Sequence, residues 1–131
     1  ENSKFLFPMA LTNRKAVADR IISLNQSNLL ILGSGWEGNY SLEDSLAAGA
    51  LADYLIKFQD SEVNIVNDEL NAALALWDFW KDDVLKCLKI ATHGKRLANI
   101  GNYEDDFKCC SQIDCLNIVP TQVEKGVIRA S

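Results

Sequence analysis

The sequence predicts an α/β domain, and three observations carry that reading. The run Leu29-Leu30-Ile31-Leu32 is wholly apolar and lies between turn residues, the pattern of a short strand covered on both faces. Segments with helical spacing stand before and after it. Helix, strand and helix in that order, with an apolar strand, imply helices layered on a sheet.

The first helix is expected from Asn13 to Leu24, with Val17, Ile21 and Leu24 on one face and Thr12 or Asn13 as cap. Asn25-Gln26-Ser27-Asn28 breaks the pattern, the strand at residues 29–32 follows, and a glycine-rich loop runs from Gly33 to Tyr40. Ser41-Leu42-Glu43-Asp44 has the S-x-x-[DE] form of a near-capping box, with acids in the first turn where the helix dipole favours them. That helix is expected to reach about Lys57, with Gly49 marking a close helix–sheet approach. Asp60-Ser61 breaks the chain. Glu62-Val63-Asn64-Ile65-Val66 reads either as a strand or as a loop, and Asn67 or Asp68 caps a long helix running through Leu88. Thr92-His93-Gly94 ends or kinks it, and a short helix, Lys95 to Ile100, stops at Gly101. Ile118-Val119 is extended because Pro120 follows, and Val123 to Ile128 reads as strand, turn and strand around Gly126.

The 131 residues fit one domain, and a hydrophobic fraction of 48% excludes wholesale disorder. A net charge of −5 argues against nucleic-acid or anionic-membrane partners, whose phosphates need a basic surface. Residues 29–32 are too few to span a bilayer. No secretory signal pattern follows Glu1, so a cytoplasmic setting is expected. Cys87, Cys109, Cys110 and Cys115 form no C-x-x-C pair, and reduced thiols are expected. Cys109 as a reactive thiol has no base near it in sequence.

Gly33-Ser34-Gly35-Trp36-Glu37-Gly38 matches G-x-G-x-x-G after a strand. In a dinucleotide site the helix opens within that motif, whereas here the cap falls at Ser41; the acid about 20 residues on, Asp53, lies inside a helix. The loop can still offer backbone N–H groups to an anion, or its glycines simply shape a turn. Glu37, Glu43 and Asp44 beside it fit a Mg²⁺ site, since that ion takes oxygen ligands from one or two carboxylates plus a phosphate. Glu43 and Asp44 are equally explained as first-turn acids, and spacing alone favours that explanation. Ser34 lacks the G-x-S-x-G frame that a hydrolase partnered by His93 would need, and no P-loop is present. His93-Gly94-Lys95-Arg96 could hold an anion or meet solvent at a helix end. Trp77, Phe79 and Trp80 read as core or interface.

The stretch from Leu30 to Leu51, with its glycine loop, Ser-Leu-Glu-Asp start and Ala-Gly helix, resembles the signature of the 2-phosphosulfolactate phosphatase (ComB) family. Asn13 to Ala18, His93 to Leu97, Gly101, Asp105 with Cys109, and Val119-Pro120 resemble the family's other segments in the same order. The resemblance is to the C-terminal half. It implies a three-layer α/β/α fold of about twice this length, whose N-terminal half has no counterpart here. It also implies a Mg²⁺-dependent phosphatase acting on 2-phosphosulfolactate, as in coenzyme M synthesis, or on a related phosphorylated 2-hydroxy acid. Carried over by position, Glu43 and Asp44 are catalytic and near the metal, with Glu37 a weaker ligand. Gly33, Ser34 and Gly35 are substrate donors, and His93 and Arg96 are charge partners. The expected partners are the small substrate and an N-terminal half or a second copy. The readings kept beside this one are a non-catalytic interaction domain using Trp36, Trp77 and Trp80, and a nucleotide-binding module using Gly33 to Gly38.

Overall fold

The computed structural model describes residues 4–59, 62–101 and 103–130, so the break expected at Asp60-Ser61 lies outside the described residues. Helix α2, Leu42–Phe58, is the centre of the architecture. Ser41 caps it, its Oγ accepting the Asp44 N–H at 3.2 Å, and Glu43, Asp44 and Lys57 carry charges that complement the helix dipole. Leu46, Ala50, Leu51, Tyr54 and Leu55 are all buried, which places apolar surface on two sides of the helix. One side packs with Leu11, Trp77, Val84 and Cys87. The other packs with Ala18 of helix α1, Arg14–Leu24. A fully buried Leu or Val such as Leu46 or Val17 contributes about 1.5–3 kcal/mol relative to exposure.

Helix α3, Asp68–Trp80, lies against α2. Asn67 caps it through Oδ1, which accepts the Leu70 N–H at 3.3 Å. The close approach expected at Gly49 is made to this helix rather than to a sheet: a Cβ there would sit 2.0 Å from the Ala73 carbonyl oxygen. The long helix expected through Leu88 is divided. Lys81 to Asp83 interrupts it, and Asp83 caps helix α4, Val84–Ile90, by accepting the Lys86 N–H at 3.3 Å. Asp favours caps over helix interiors because its side chain competes for backbone donors. The backbone turns again at Ala91, and Thr92-His93-Gly94 forms the first turn of helix α5, Thr92–Ile100, which stops at Gly101 as expected. Helix α6, Glu104–Cys110, follows.

The sheet among the described residues is one antiparallel hairpin of β1, Pro120–Glu124, and β2, Val127–Ala130. Gly126 at its turn has φ +78°. The expected mixture of helix and sheet is therefore present. The expected strand at residues 29–32 does not form: the run joins no ladder, with Leu30 70% and Leu32 79% exposed. Residues 62–66 form no strand either. Among the described residues neither stretch has a neighbouring strand, and a strand exists only by pairing.

Helix α1 begins after Asn13, but Asn13 does not cap it. Its Oδ1 accepts the Ala10 N–H and its amide donates to the Ile118 carbonyl. The cap comes from Asp114, whose Oδ1 accepts the Lys15 N–H at 2.7 Å while the carboxylate pairs with Arg14. Arg14 also lies 5.4 Å from the ring centroids of Tyr54 and Trp77. No helix among the described residues is long and apolar enough to cross a membrane.

Gly49→Ala should destabilise the chain by about 1–3 kcal/mol through overpacking, although alanine is the better helix former. Urea unfolding measures this, and a stability gain would show that the α2–α3 approach can relax.

Candidate active site

The loop between residues 33 and 40 is built by its backbone conformation. Trp36 and Asn39 face each other in a two-residue hairpin, the Asn39 N–H donating to the Trp36 carbonyl at 2.9 Å. Glu37 and Gly38 between them have φ of 51° and 77°, the left-handed pair of a type I′ turn. Gly35, at φ +64°, turns the chain back towards helix α2.

This fold delivers the loop to Asp44. The Gly35 N–H donates to Asp44 Oδ2 at 2.6 Å, and the Ser34 hydroxyl donates to the same oxygen at 3.3 Å. A Cβ at Gly33 would stand 3.2 Å from the Asp44 Cβ, closer than ordinary contact. Asp44 thus works twice. Its N–H completes the Ser41 cap, and its carboxylate holds the loop instead of reaching back to the Ser41 N–H as a full capping box would. Asp44 Oδ1 receives no hydrogen bond among the described residues. Glu43 lies half-buried in the same first turn.

Helix α5 meets the loop through Trp36. The Trp36 ring lies 5.3 Å from the His93 ring at 41°, and the Arg96 guanidinium carbon lies 4.6 Å from the Trp36 centroid. His93 Nδ1 is buried without a hydrogen-bond partner among the described residues. The structure therefore brings Gly33, Ser34, Gly35 and Asp44 into direct contact and links them to His93 and Arg96 by one aromatic side chain. Sequence reasoning had offered Trp36 only as an interface candidate. The available signal was a large aromatic placed inside a glycine loop.

Glu37 sits at the exposed tip of the hairpin. Among the described residues no three His, Cys, Asp or Glu side chains converge on a common point. Mg²⁺ itself takes only one or two carboxylates from a protein when phosphate supplies further oxygens.

Other sequence candidates have structural work. Asp53 accepts from Lys57 at 2.8 Å and from the Trp77 indole N–H at 3.2 Å, tying α2 to α3. Trp77 is core. The four thiols are free. Burial, and secondarily the charge of Glu43, pushes the Cys87 thiol up; burial with Cys109 and Asp106 pushes Cys110 up. Both shifts disfavour a nucleophilic thiolate. The Ser34 hydroxyl is engaged by Asp44 and makes no bond to His93.

The family model described as 2-phosphosulpholactate phosphatase matches residues 1–125. A Prochlorococcus marinus protein named probable 2-phosphosulfolactate phosphatase is 57% identical over 128 residues, covering 98% of this chain and 53% of its own length. A Synechococcus protein of the same name is 52% identical over 126 residues, covering 96% of this chain and 52% of itself. Another, from Gloeothece citriformis, is 43% identical over 128 residues, with 98% and 52% covered. The chain belongs to the 2-phosphosulpholactate phosphatase family. It spans about half the length of the curated relatives it matches.

Removing the Asp44 carboxylate should release the loop. A hydrogen bond to a charged group contributes about 1.5–3 kcal/mol, so in Asp44→Ala the Gly35 amide should exchange with solvent roughly 10–100-fold faster. Unchanged exchange at Gly35 would mean that the hairpin holds itself against α2 without the carboxylate.

Proposed function

We propose that this chain is part of a Mg²⁺-dependent phosphatase that hydrolyses 2-phosphosulfolactate, or a related phosphorylated 2-hydroxy acid, to the hydroxy acid and inorganic phosphate. The single observation that carries the reading is the Asp44 carboxylate at the head of α2, held against the Gly33–Gly35 loop with Oδ1 left open. Family membership and the names of the relatives support the reaction class. In the whole enzyme the helices described here would form layers on a central sheet, in the three-layer α/β/α arrangement. A cytoplasmic setting and a place in coenzyme M synthesis belong to the same proposal.

The electrostatics of the loop support a cation. The Gly35 N–H and the Ser34 hydroxyl, expected to meet substrate, both point at a carboxylate. A phosphate approaching them alone would be repelled by Asp44. A divalent ion held by Asp44 and Glu43, with Glu37 as a weaker candidate, would turn that repulsion into attraction and neutralise charge on the transferring phosphoryl group. The chain's own groups then divide the remaining work. Gly33 leaves room beside Asp44, and Ser34 and Gly35 fix the carboxylate's orientation. Arg96, steered by Trp36, offers a planar cation to a second anionic group of the substrate, and His93 stands beside it as a further charge partner. Water attacks phosphorus, the bond from phosphorus to the ester oxygen breaks, and the alcohol oxygen leaves with a proton.

Phosphate release from 2-phosphosulfolactate and 2-phospholactate, with Mg²⁺ and with EDTA, tests this on the present chain and on a form extended to the relatives' length. Turnover that EDTA abolishes is expected. In the active form, Asp44→Asn should lower kcat by about 10²–10³ and raise the Mg²⁺ concentration needed for half activity. Full activity of that variant excludes the role assigned to Asp44, and silence of both forms favours a non-catalytic relative.

A further inference from the structure

Arg96 is held without being neutralised. Its guanidinium carbon lies 4.6 Å from the centroid of the Trp36 ring, and among the described residues it pairs with no carboxylate. Carboxylates are not scarce: the chain has 18 Asp and Glu against 13 Lys and Arg. Arg14 makes the contrast. It lies against the Tyr54 and Trp77 rings, but Asp114 takes its N–H groups. A π face attracts a cation and uses none of its N–H donors, so the fork of Arg96 stays open to an oxyanion.

The same indole serves a second residue. His93 stands three residues before Arg96 on α5, so the two side chains share a face. The Trp36 ring lies 5.3 Å from the His93 ring, whose Nδ1 is buried without a hydrogen-bond partner among the described residues. The place of Trp36 is fixed from the other side. Its backbone pairs with Asn39, and the neighbouring Gly35 N–H donates to Asp44. Trp36 remains 45% exposed, so core burial does not account for it. Its contacts are the loop that carries it and the two side chains of α5.

We propose that Trp36 is a positioning residue that acts through Arg96. Anchored to Asp44 by the loop, the indole sets the guanidinium at a fixed place relative to that carboxylate, with its N–H donors free. The site thereby selects phosphorylated acids that carry a second anionic group, a carboxylate or a sulfonate. The selection rests on the reading of Arg96 in the functional proposal, whereas the positioning rests on the ring contacts alone. The physical reason is preorganisation. A free arginine gives up its rotamer freedom when it binds an anion, and one already stacked has given up part of it beforehand.

The test reads Arg96 directly. In this chain, nitrogen NMR relaxation of the Arg96 Nε–H should show an ordered side chain, in contrast to the exposed Arg20. Trp36→Leu keeps apolar bulk without a π face and should bring Arg96 to the mobility of Arg20. Trp36→Phe keeps a π face and should restore most of the order. Methanesulfonate and acetate are the anion probes. At least one should shift the Arg96 Nε–H and the ring protons of His93, the single histidine of the chain, and the tighter one names the group that the fork takes. Its half-saturating concentration should be about three- to tenfold higher in Trp36→Leu than in the parent. An Arg96 as mobile as Arg20 in the parent, order that survives Trp36→Leu, or no response to either anion overturns the proposal. The first and last of these need no variant, so a Trp36→Leu that does not fold leaves the proposal open to refutation. No arm uses turnover: a silent phosphatase assay beside these results would sink the functional proposal and leave Trp36 as the positioner of an oxyanion site.

Discussion

Helix α2 can lie against α3 only because residue 49 has no side chain. With the Ala73 carbonyl 2.0 Å from where a Cβ would be, the two backbones meet directly, and the rest of the arrangement hangs from that contact. It sets Trp77 deep enough for its indole N–H to reach Asp53 and for its ring to flank Arg14. Arg14 in turn binds Asp114, whose other bond caps α1. Gly94 repeats the device one layer out: a Cβ there would fall 1.9 Å from the Leu88 carbonyl, so α5 crosses the end of α4 closely enough to bring His93 and Arg96 to the loop. Two glycines buried in helices thus position both halves of the candidate site. Each costs about 1 kcal/mol of helix propensity relative to alanine, which the packing offsets.

Asp44 joins stability and proposed chemistry in one carboxylate. As the third residue of α2 it lies in the positive end of the helix dipole, and two loop donors share its Oδ2. A first-turn acid stabilising a helix accounts for Oδ2. It leaves Oδ1 unexplained. A ligand whose second oxygen is fixed by hydrogen bonds is an oriented ligand, and such outer contacts are a general feature of metal sites in proteins. The structural role and the functional one are therefore compatible, and a substitution at Asp44 perturbs both.

What was legible in the sequence was local. Ser41 and Asp44 stand within one helical turn, so their cap follows from residue type and spacing. The Gly126 turn, the Asn67 cap and the stop at Gly101 follow in the same way. The break at Lys81 to Asp83 was local too, yet the apolar spacing continues across it and hides the Asp83 cap. What stayed hidden was distant. Asp114 caps a helix 99 residues away, so Asn13, which looks like the cap by position, is free to brace Ala10 and Ile118 instead. Glu37, Glu43 and Asp44 are close in sequence, but the type I′ turn carries Glu37 to the hairpin tip. The junction of Trp36 with His93 and Arg96 depends on the α4–α5 crossing, which no spacing encodes.

The strand expected at residues 29–32 is the most informative difference. A wholly apolar run of four residues is the signature of a strand covered on both faces, and here α2 covers one side while Leu30 and Leu32 face solvent. Hydrophobic pattern records the environment in which a segment is selected, and for this family that environment includes about as much chain again. With no strand beside it among the described residues, the run has no main chain to pair with and stays outside any ladder. The same holds for residues 62–66, whereas helices, whose hydrogen bonds close within each segment, form at residues 14–24 and 42–58 much as expected. Helices need only themselves and an apolar face to pack on; a sheet needs its other strands.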